Sequence, residues 1–471
     1  MPFRGPARRI KLFLQLIPVI IVAVVAIIGA LNLQTVREYI ASATGEPANL
    51  QVNTQTSLGP LPRPWQNLAQ GGEMNDWSMV PIQGKVAALQ PNYIRLDHLY
   101  SFYEIAQRDG NGRVTYNFAK LDAVVNEILA VGAKPYLSLS YMPANLSEDG
   151  TITGKPQNWN EWQDLVRATV QHYSGTRGIS DVMYEVWNEP DLFGGWKTYG
   201  DKNYLTLYWY AHLGQAQTSG TKPYKFGGPA TTALYRNWFE AMSNLKDQQG
   251  ARVDFLSWHR YSKDIDQFRD DFALAKQWQS EFPGLANTEL HITEFGPDSD
   301  VDPSNDSNLG AAHLAALATE MPGIIDRAFV FEVEDGKDPN GQEFWGRWGL
   351  LTHRDFGNNT KPRYSVLRLL NRMEGDQLQV LGKGTWVKAM ASRSGDDILM
   401  TVVNYDNLGR NTEEVPLSFF NIPPGDYTLE ISPLNGATRT LPLSTTSTVL
   451  ATTLPMGPNS VVFVRLVKVA P

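Results

Sequence analysis

The chain has 471 residues, enough for a barrel and one smaller domain, and its 42% hydrophobic and 19% charged residues exclude global disorder. A net charge of −8 excludes the basic footprint of a nucleic-acid-binding protein. Cysteine is absent, which excludes disulfides and thiol chemistry.

The amino terminus has the composition of a membrane anchor. Four basic residues among the first eleven precede residues 12–33, an apolar run whose only polar side chains are Gln15 and Asn32. About 20 apolar residues span a bilayer, whereas a cleaved signal peptide has an apolar core of about 7–15 residues. We therefore predict a cytoplasmic segment at 1–11 and a transmembrane signal anchor at 12–33, with the rest of the chain outside the cytoplasm. Secretion after cleavage near 41–43 is the alternative.

The remaining chain divides by its pattern into a linker and two domains. Residues 34–63 are rich in Gln, Thr, Ser, Pro and Asn without an apolar period, and we predict a linker there. Residues 64–374 alternate short apolar strands with helical patterns, which predicts an α/β fold, a (β/α)8 TIM barrel. In residues 375–471, strand patterns follow one another between Gly, Asn, Asp and Pro turns, which predicts an antiparallel β-sandwich.

The predicted barrel elements follow the chain in order. The strands are expected at 65–72, 93–97, 134–140, 182–186, 225–230, 253–259, 290–295 and 326–333. Helices are expected at 80–89, 118–129, 159–173, 203–217 and 365–373.

Two carboxylates end predicted strands. Glu189 follows strand 182–186, where Pro190 stops regular pairing, and Glu294 ends strand 290–295. The two residues are 105 positions apart. Three strand–helix units of about 35 residues would fill that interval in a barrel of roughly 250 residues. Both carboxylates are thus expected at the carboxyl ends of strands 4 and 7, on one face, as a glycosidase pair.

These motifs resemble glycoside hydrolase family 39, which comprises retaining β-glycosidases. The resemblance is carried by Glu-Val-Trp-Asn-Glu-Pro at 185–190, Ser-Trp-His-Arg-Tyr at 257–261 and Thr-Glu-Phe-Gly at 293–296. It extends through much of residues 92–372.

The resemblance implies roles for individual residues. Glu189 is expected to be the acid/base and Glu294 the nucleophile. Tyr261 is expected to donate a hydrogen bond to that nucleophile, His259 to approach the sugar, and Arg95 to lie beneath the nucleophile and to belong to the substrate site.

Further sugar contacts are predicted beside the two carboxylates. The amide of Asn188 can bind the sugar 2-hydroxyl, and Trp187 offers an aromatic face. Asp97 and His98 are candidate contacts that depart from the family pattern, because Leu-Asp-His stands at 96–98 where the family has Phe-His-Gly.

The last barrel strand also departs from the family. It lacks the tryptophan that members commonly carry near its end, so Trp345 or Trp348 in the following loop is expected to supply the stacking face. Glu332 and Glu334 are expected to make that wall acidic. Glu185 either supports the site or packs within its strand.

We predict a membrane-anchored, extracytoplasmic retaining β-glycosidase that hydrolyses a polysaccharide, with an exopolysaccharide favoured by the anchor. An exo-acting β-xylosidase and a non-catalytic polysaccharide-binding partner for export or biosynthesis are the alternatives. The sequence has no convincing metal-ligand spacing, phosphate-binding loop or dinucleotide motif, so no cofactor is expected. The expected partners are a polysaccharide or oligosaccharide and the membrane, and no nucleic acid.

Overall fold

The computed structural model describes residues 45–469, which form a barrel and a β-rich domain. The predicted cytoplasmic segment at 1–11 and the predicted anchor at 12–33 lie outside the described residues. Between residues 45 and 469, no helix combines the length and apolar character needed to cross a membrane.

The described chain alternates strands and helices up to residue 370 and contains only strands beyond it. The strands are β1 Leu50–Pro60, β2 Asn67–Gln70, β3 Tyr93–Leu96, β4 Ala106–Arg108, β5 Val114–Tyr116, β6 Lys134–Leu139, β7 Val182–Val186, β8 Tyr224–Thr231, β9 Phe255–Tyr261, β10 Glu289–Gly296, β11 Arg327–Phe331, β12 Asp376–Leu381, β13 Val387–Ser394, β14 Asp397–Asn404, β15 Glu413–Phe420, β16 Gly425–Pro433, β17 Arg439–Thr445, β18 Val449–Met456 and β19 Ser460–Lys468. The α-helices are α1 Gln83–Ala87, α2 Leu99–Phe102, α3 Ala119–Ala130, α4 Trp159–Val170, α5 Tyr204–Ala216, α6 Arg236–Gln249, α7 Ile265–Glu281, α8 Asn308–Glu320 and α9 Pro362–Leu370.

Eight parallel strands close into a barrel, in the order β2-β3-β6-β7-β8-β9-β10-β11, with β11 pairing back to β2. The TIM-barrel prediction is confirmed, and each of the eight predicted strands is present. β7 and β10, the strands that precede or carry the two carboxylates, are the fourth and seventh of the ring. Their carboxyl ends therefore face the same side of the barrel, where barrel enzymes bind their substrates.

The helices differ from the prediction mainly at their ends. The predicted helix 80–89 is a 3-10 turn with Pro81 in its first positions, followed by the short helix α1. The predicted helix 159–173 ends as α4 at Val170 and continues as a π-helical turn to Thr176. The side chain of Asn158 caps α4 by accepting a hydrogen bond from the backbone N–H of Asn160.

The predicted linker 34–63 is wrong over its described part, because residues 50–60 form strand β1. This strand pairs antiparallel with β12 and parallel with β15 in the nine-stranded sheet β17-β16-β19-β14-β13-β12-β1-β15-β18. Leu50, Val52 and Thr54 alternate as buried residues along it, and the first two join the core of the β domain. The β domain therefore combines a strand that precedes the barrel in the sequence, β1, with the strands that follow the barrel.

The β-sandwich prediction is therefore confirmed only as a β-rich domain, since its strands form one continuous sheet with a parallel pair. Apolar side chains from one face of most strands meet in a common core. The opposite face carries Met390, Leu399, Val403 and Phe463 into the main core, against α8 and α9 of the barrel. Burial of these side chains fixes the domain against the barrel.

Candidate active site

Glu189 is presented by a tight turn that follows β7. Trp187 and Glu189 both have positive φ, at 72° and 44°, a conformation that costs a non-glycine residue about 1–3 kcal/mol. Hydrogen bonds hold the turn: the Glu189 N–H donates to the Ala230 carbonyl at 2.9 Å, and the Phe193 N–H donates to the Glu189 carbonyl at 2.7 Å. The carboxylate consequently faces the cleft with 14% of its side chain exposed.

Glu294 is aimed by an irregularity in β10. Ile292 pairs with Trp258 of β9 and Glu294 pairs with His259, so Thr293 is an extra residue in the ladder. Such a bulge re-aims the side chains that follow it, and here it sets Glu294 beside His259. Glu294 is 6% exposed and lines the cleft.

The two carboxylates lie close together with an imidazole between them. One oxygen of Glu189, one oxygen of Glu294 and one ring nitrogen of His259 lie within 4.8 Å of one another. The Nδ1 atom of His259 is 2.8 Å from Glu189 Oε1 and 3.5 Å from Glu294 Oε2. Retaining glycosidases separate their carboxyl groups by about 5–5.5 Å and inverting ones by about 6.5–9.5 Å. The upper bound of 4.8 Å between these oxygens is compatible with the shorter, retaining separation.

Arg95 ties the nucleophile to its surroundings from below. The fully buried guanidinium donates through Nη1 to Glu294 Oε1 at 2.9 Å, through Nε to Glu185 Oε2 at 2.7 Å, and through Nη2 to Asn188 Oδ1 at 2.6 Å. Glu185 is therefore a supporting residue of the site and not merely a packed strand residue. Arg95 lies beneath the nucleophile as expected, and it does not line the cleft.

Tyr261 donates its hydroxyl to Glu294 Oε2 at 2.9 Å, as predicted. Burial raises the pKa of Glu294 to about 7, while His259 and Arg95 act in the opposite direction. Burial lowers the pKa of His259, but Glu294 and Glu189 outweigh it and hold that pKa above its usual value. Burial also raises the pKa of Tyr261 well above 10, which keeps its hydroxyl a donor.

We expect a Tyr261→Phe variant to shift the acidic limb of the kcat/KM profile upward by about one pH unit. Glu294 must be ionised to attack, so activity is lost as pH falls through its pKa near 7. Removing the hydroxyl removes a donor that favours the ionised form, so the pKa of Glu294 rises. Profiles on an aryl glycoside measure the shift, with Tyr210→Phe, on α5, as the control. If the acidic limb of the kcat/KM profile does not move in Tyr261→Phe, Tyr261 does not stabilise the ionised form of Glu294.

The cleft has a volume of about 800 Å³ and opens around the two carboxylates. Six of the residues predicted to form the site line it, namely Asp97, His98, Asn188, Glu189, Tyr261 and Glu294. The Nδ2 group of Asn188 donates to the hydroxyl of Tyr141 at 2.8 Å, which leaves its second N–H for a ligand.

Three further residues predicted to contact the sugar do not line the cleft. Trp187 is fully buried, donates its indole N–H to the Phe193 carbonyl at 3.0 Å, and packs edge-on against Tyr141. His259 is likewise fully buried and contacts the carboxylates instead of the open space. Trp345 lies outside the lining, whereas Trp348 belongs to it.

The wall beyond the last barrel strand is built differently from the prediction. Glu332 and Glu334 are fully buried and hydrogen-bonded, so neither makes the wall acidic. Arg347 and Trp348 line it instead. The Arg347 guanidinium lies 3.4 Å from the centre of the Trp348 ring and donates through Nε to Glu73 at 2.7 Å.

Sequence reasoning missed Tyr141, Leu192 and Phe193 as lining residues. Leu192 and Phe193 are 60% and 41% exposed on the loop after the acid/base, an unusual position for apolar side chains. Their position in the loop after a barrel strand could have indicated that they line the site, since such loops carry the site residues. Tyr141 follows β6 in the same way.

Comparisons with known proteins agree with this geometry. The family model described as glycosyl hydrolases family 39 matches residues 53–404. A β-xylosidase of Geobacillus stearothermophilus is 28% identical over 327 residues, which cover 61% of this chain and 62% of that protein. The chain thus spans less than two thirds of that relative's length. An α-L-iduronidase of Mus musculus is 25% identical over 224 residues, covering 43% of this chain and 34% of that one.

Solved structures support the fold. The GH39 enzyme from Xanthomonas axonopodis pv. citri superimposes with a TM-score of 0.73 at 17% identity, covering 90% of this chain and 98% of that one.

Proposed function

The chain belongs to glycosyl hydrolases family 39, and we propose that it hydrolyses β-glycosidic bonds with retention of configuration. The observation that carries this proposal is the pair Glu189 and Glu294, with carboxylate oxygens within 4.8 Å of each other. The intact pair argues against a non-catalytic binding protein, which has no need of it.

The reaction follows from the side chains in two steps. Glu294 attacks the anomeric carbon while protonated Glu189 gives its proton to the leaving oxygen, which forms a glycosyl–enzyme ester. Glu189 then takes a proton from water, the water oxygen displaces Glu294, and the sugar leaves with its original configuration. Arg95 and Tyr261 each bind one oxygen of Glu294 and so hold the attacking carboxylate in place.

We propose a polysaccharide as the substrate. The cleft volume of about 800 Å³ offers room for more than one sugar ring. The exposed Leu192 and Phe193 beside the acid/base offer an apolar face on which a second sugar can lie. An exo-acting β-xylosidase is the second candidate, because the Geobacillus relative carries that name.

We also propose that residues 12–33 anchor the enzyme in a membrane with the barrel outside the cytoplasm, which favours an exopolysaccharide. The support is the basic amino terminus followed by the apolar run. Secretion after cleavage is the alternative. Membrane fractionation of the expressed full chain, with mass determination of its amino terminus, separates the two.

The reaction is tested by following reducing ends released from aryl β-glycosides and bacterial exopolysaccharides. We expect proton NMR at early times to detect the β-anomer first, because two displacements restore the configuration. Initial release of the α-anomer contradicts a retaining mechanism. Cleavage within a polymer, seen as a rapid fall in its length, favours the endo-acting enzyme over the β-xylosidase.

A further inference from the structure

Asp97 is a buried carboxyl group that has no hydrogen-bond partner among residues 45–469. It lies directly after β3, is 7% exposed, and lines the cleft together with Asn188 and Glu294. Within residues 45–469, neither of its oxygens accepts a hydrogen bond, and Oδ1 is enclosed. Buried polar groups are ordinarily hydrogen-bonded, so an unsatisfied carboxylate at a cleft is a place for a ligand donor.

Neither nearby positive group pairs directly with Asp97, because Arg95 contacts Glu185 and Glu294, and His259 contacts Glu189 and Glu294. Burial raises the pKa of Asp97 to about 7, and the nearby positive groups Arg95 and His259 do not offset it. The guanidinium of Arg95 donates its hydrogen bonds to Glu185, Glu294 and Asn188 instead. No donor among residues 45–469 satisfies Asp97 Oδ1, and sugar hydroxyls are groups that can donate a hydrogen bond to it.

The cations that line the cleft are already engaged. Arg260 donates through Nε and Nη2 to Asp271, both at 2.6 Å, and Arg347 is paired with Glu73. Burial lowers the pKa of His98 to about 4, so this imidazole is uncharged at neutral pH. Among the described lining residues, no uncommitted cation is left to pair with a carboxylate on a substrate.

We propose that Asp97 selects neutral sugars: its carboxylate accepts hydrogen bonds from hydroxyls of the sugar held at Glu294, and uronic acid glycosides are excluded. This inference rests on the proposed glycosidase function and narrows its substrate class. A uronic acid would bring a further negative charge beside the carboxylates of Asp97 and Glu294, with no uncommitted cation among the described lining residues to pair with it, and this weakens its binding.

The test compares glycosides that differ only in charge. The full chain is assayed with 4-nitrophenyl β-glycosides of neutral sugars and with the corresponding uronides, for example the glucoside and the glucuronide. Neutral and uronic exopolysaccharides extend the panel to polymers. We expect kcat/KM for a neutral glycoside to exceed that of its uronide by at least about 100-fold.

The Asp97→Asn variant distinguishes a role of Asp97 in substrate selection from a purely structural role. It keeps the shape but loses the charge, so we expect kcat/KM on the neutral glycoside to fall about 10- to 100-fold and the preference over the uronide to narrow. Asp270→Asn, an exposed substitution of the same kind on α7, is the control. If Asp97 had a purely structural role, the substitution would lower kcat/KM for the neutral glycoside and for the uronide by the same factor. Thermal unfolding of the variant checks that it is folded.

The outcomes distinguish a failure of this inference from a failure of the proposed glycosidase function. If the wild type prefers uronides, and Glu294→Gln abolishes that activity, the glycosidase stands and the selection by Asp97 is overturned. The selection by Asp97 is also overturned if Asp97→Asn leaves the ratio of kcat/KM between the neutral glycoside and the uronide unchanged. If nothing in the panel is cleaved, or Glu294→Gln cleaves as well as the wild type, the proposed function fails and the inference fails with it.

Discussion

Replacing Glu294 with Gln is expected to lower kcat on an aryl β-glycoside by about 10⁴- to 10⁶-fold, the loss seen when a nucleophile is removed from an enzyme. Gln has nearly the same shape and can still accept from Arg95 Nη1 and contact the Tyr261 hydroxyl, so the fold is retained. The amide cannot form the glycosyl ester, and that bond is the first step of the mechanism. Steady-state kinetics with a matched thermal-unfolding curve measure both expectations.

Azide rescue distinguishes the two carboxylates. In Glu294→Ala, azide can enter the vacated space and attack in a single displacement, which gives the α-glycosyl azide. In Glu189→Ala, an activated aryl glycoside still forms the ester, and azide then gives the β-glycosyl azide. We expect Glu189→Ala to lose about 10²- to 10⁴-fold on glycosides with poor leaving groups. The same azide anomer from both variants, or more than about 1% activity in Glu294→Gln, contradicts the assignment.

The barrel and the carboxylate pair could be predicted because each depends on a local signal. Glu189 follows one short apolar strand and Glu294 lies near the end of another, and their spacing matches a whole number of strand–helix repeats. The wrong linker prediction for β1 has a non-local cause. Leu50 pairs with Leu417, and the surrounding polar composition hides the alternation of buried residues.

Side-chain direction was the second limit of sequence reasoning. Trp187 stands two residues before the acid/base, yet the left-handed turn sends its indole into the core while Glu189 faces the cleft. Trp345 and Trp348 lie in an irregular loop, where no period tells which of them faces inward. Trp348 packs against Arg347, which is paired with Glu73, and that pair joins residues far apart in the chain.

Replacing Arg95 with Met is expected to lower the free energy of unfolding by about 3–5 kcal/mol and to abolish activity. The change leaves Glu185, which is fully buried, and Glu294, which is nearly so, without their shared cation. Chemical denaturation at pH 7 measures the loss. Arg269→Met is the control, because this exposed residue pairs, among residues 45–469, only with Asp266 and should contribute less than about 1 kcal/mol.

The dependence on pH shows whether charge, and not lost packing, causes the destabilisation. Arg95 lowers the pKa of Glu294, so removing it raises that pKa further above the unfolded value. A raised pKa penalises the ionised form in the folded state, so the destabilisation should be largest above pH 7 and shrink as pH falls. In Arg95→Met/Glu185→Gln, one uncompensated charge is removed, and part of the stability should return without activity. Equal destabilisation at all pH values, with no recovery in the double variant, would mean that Arg95 acts through packing alone.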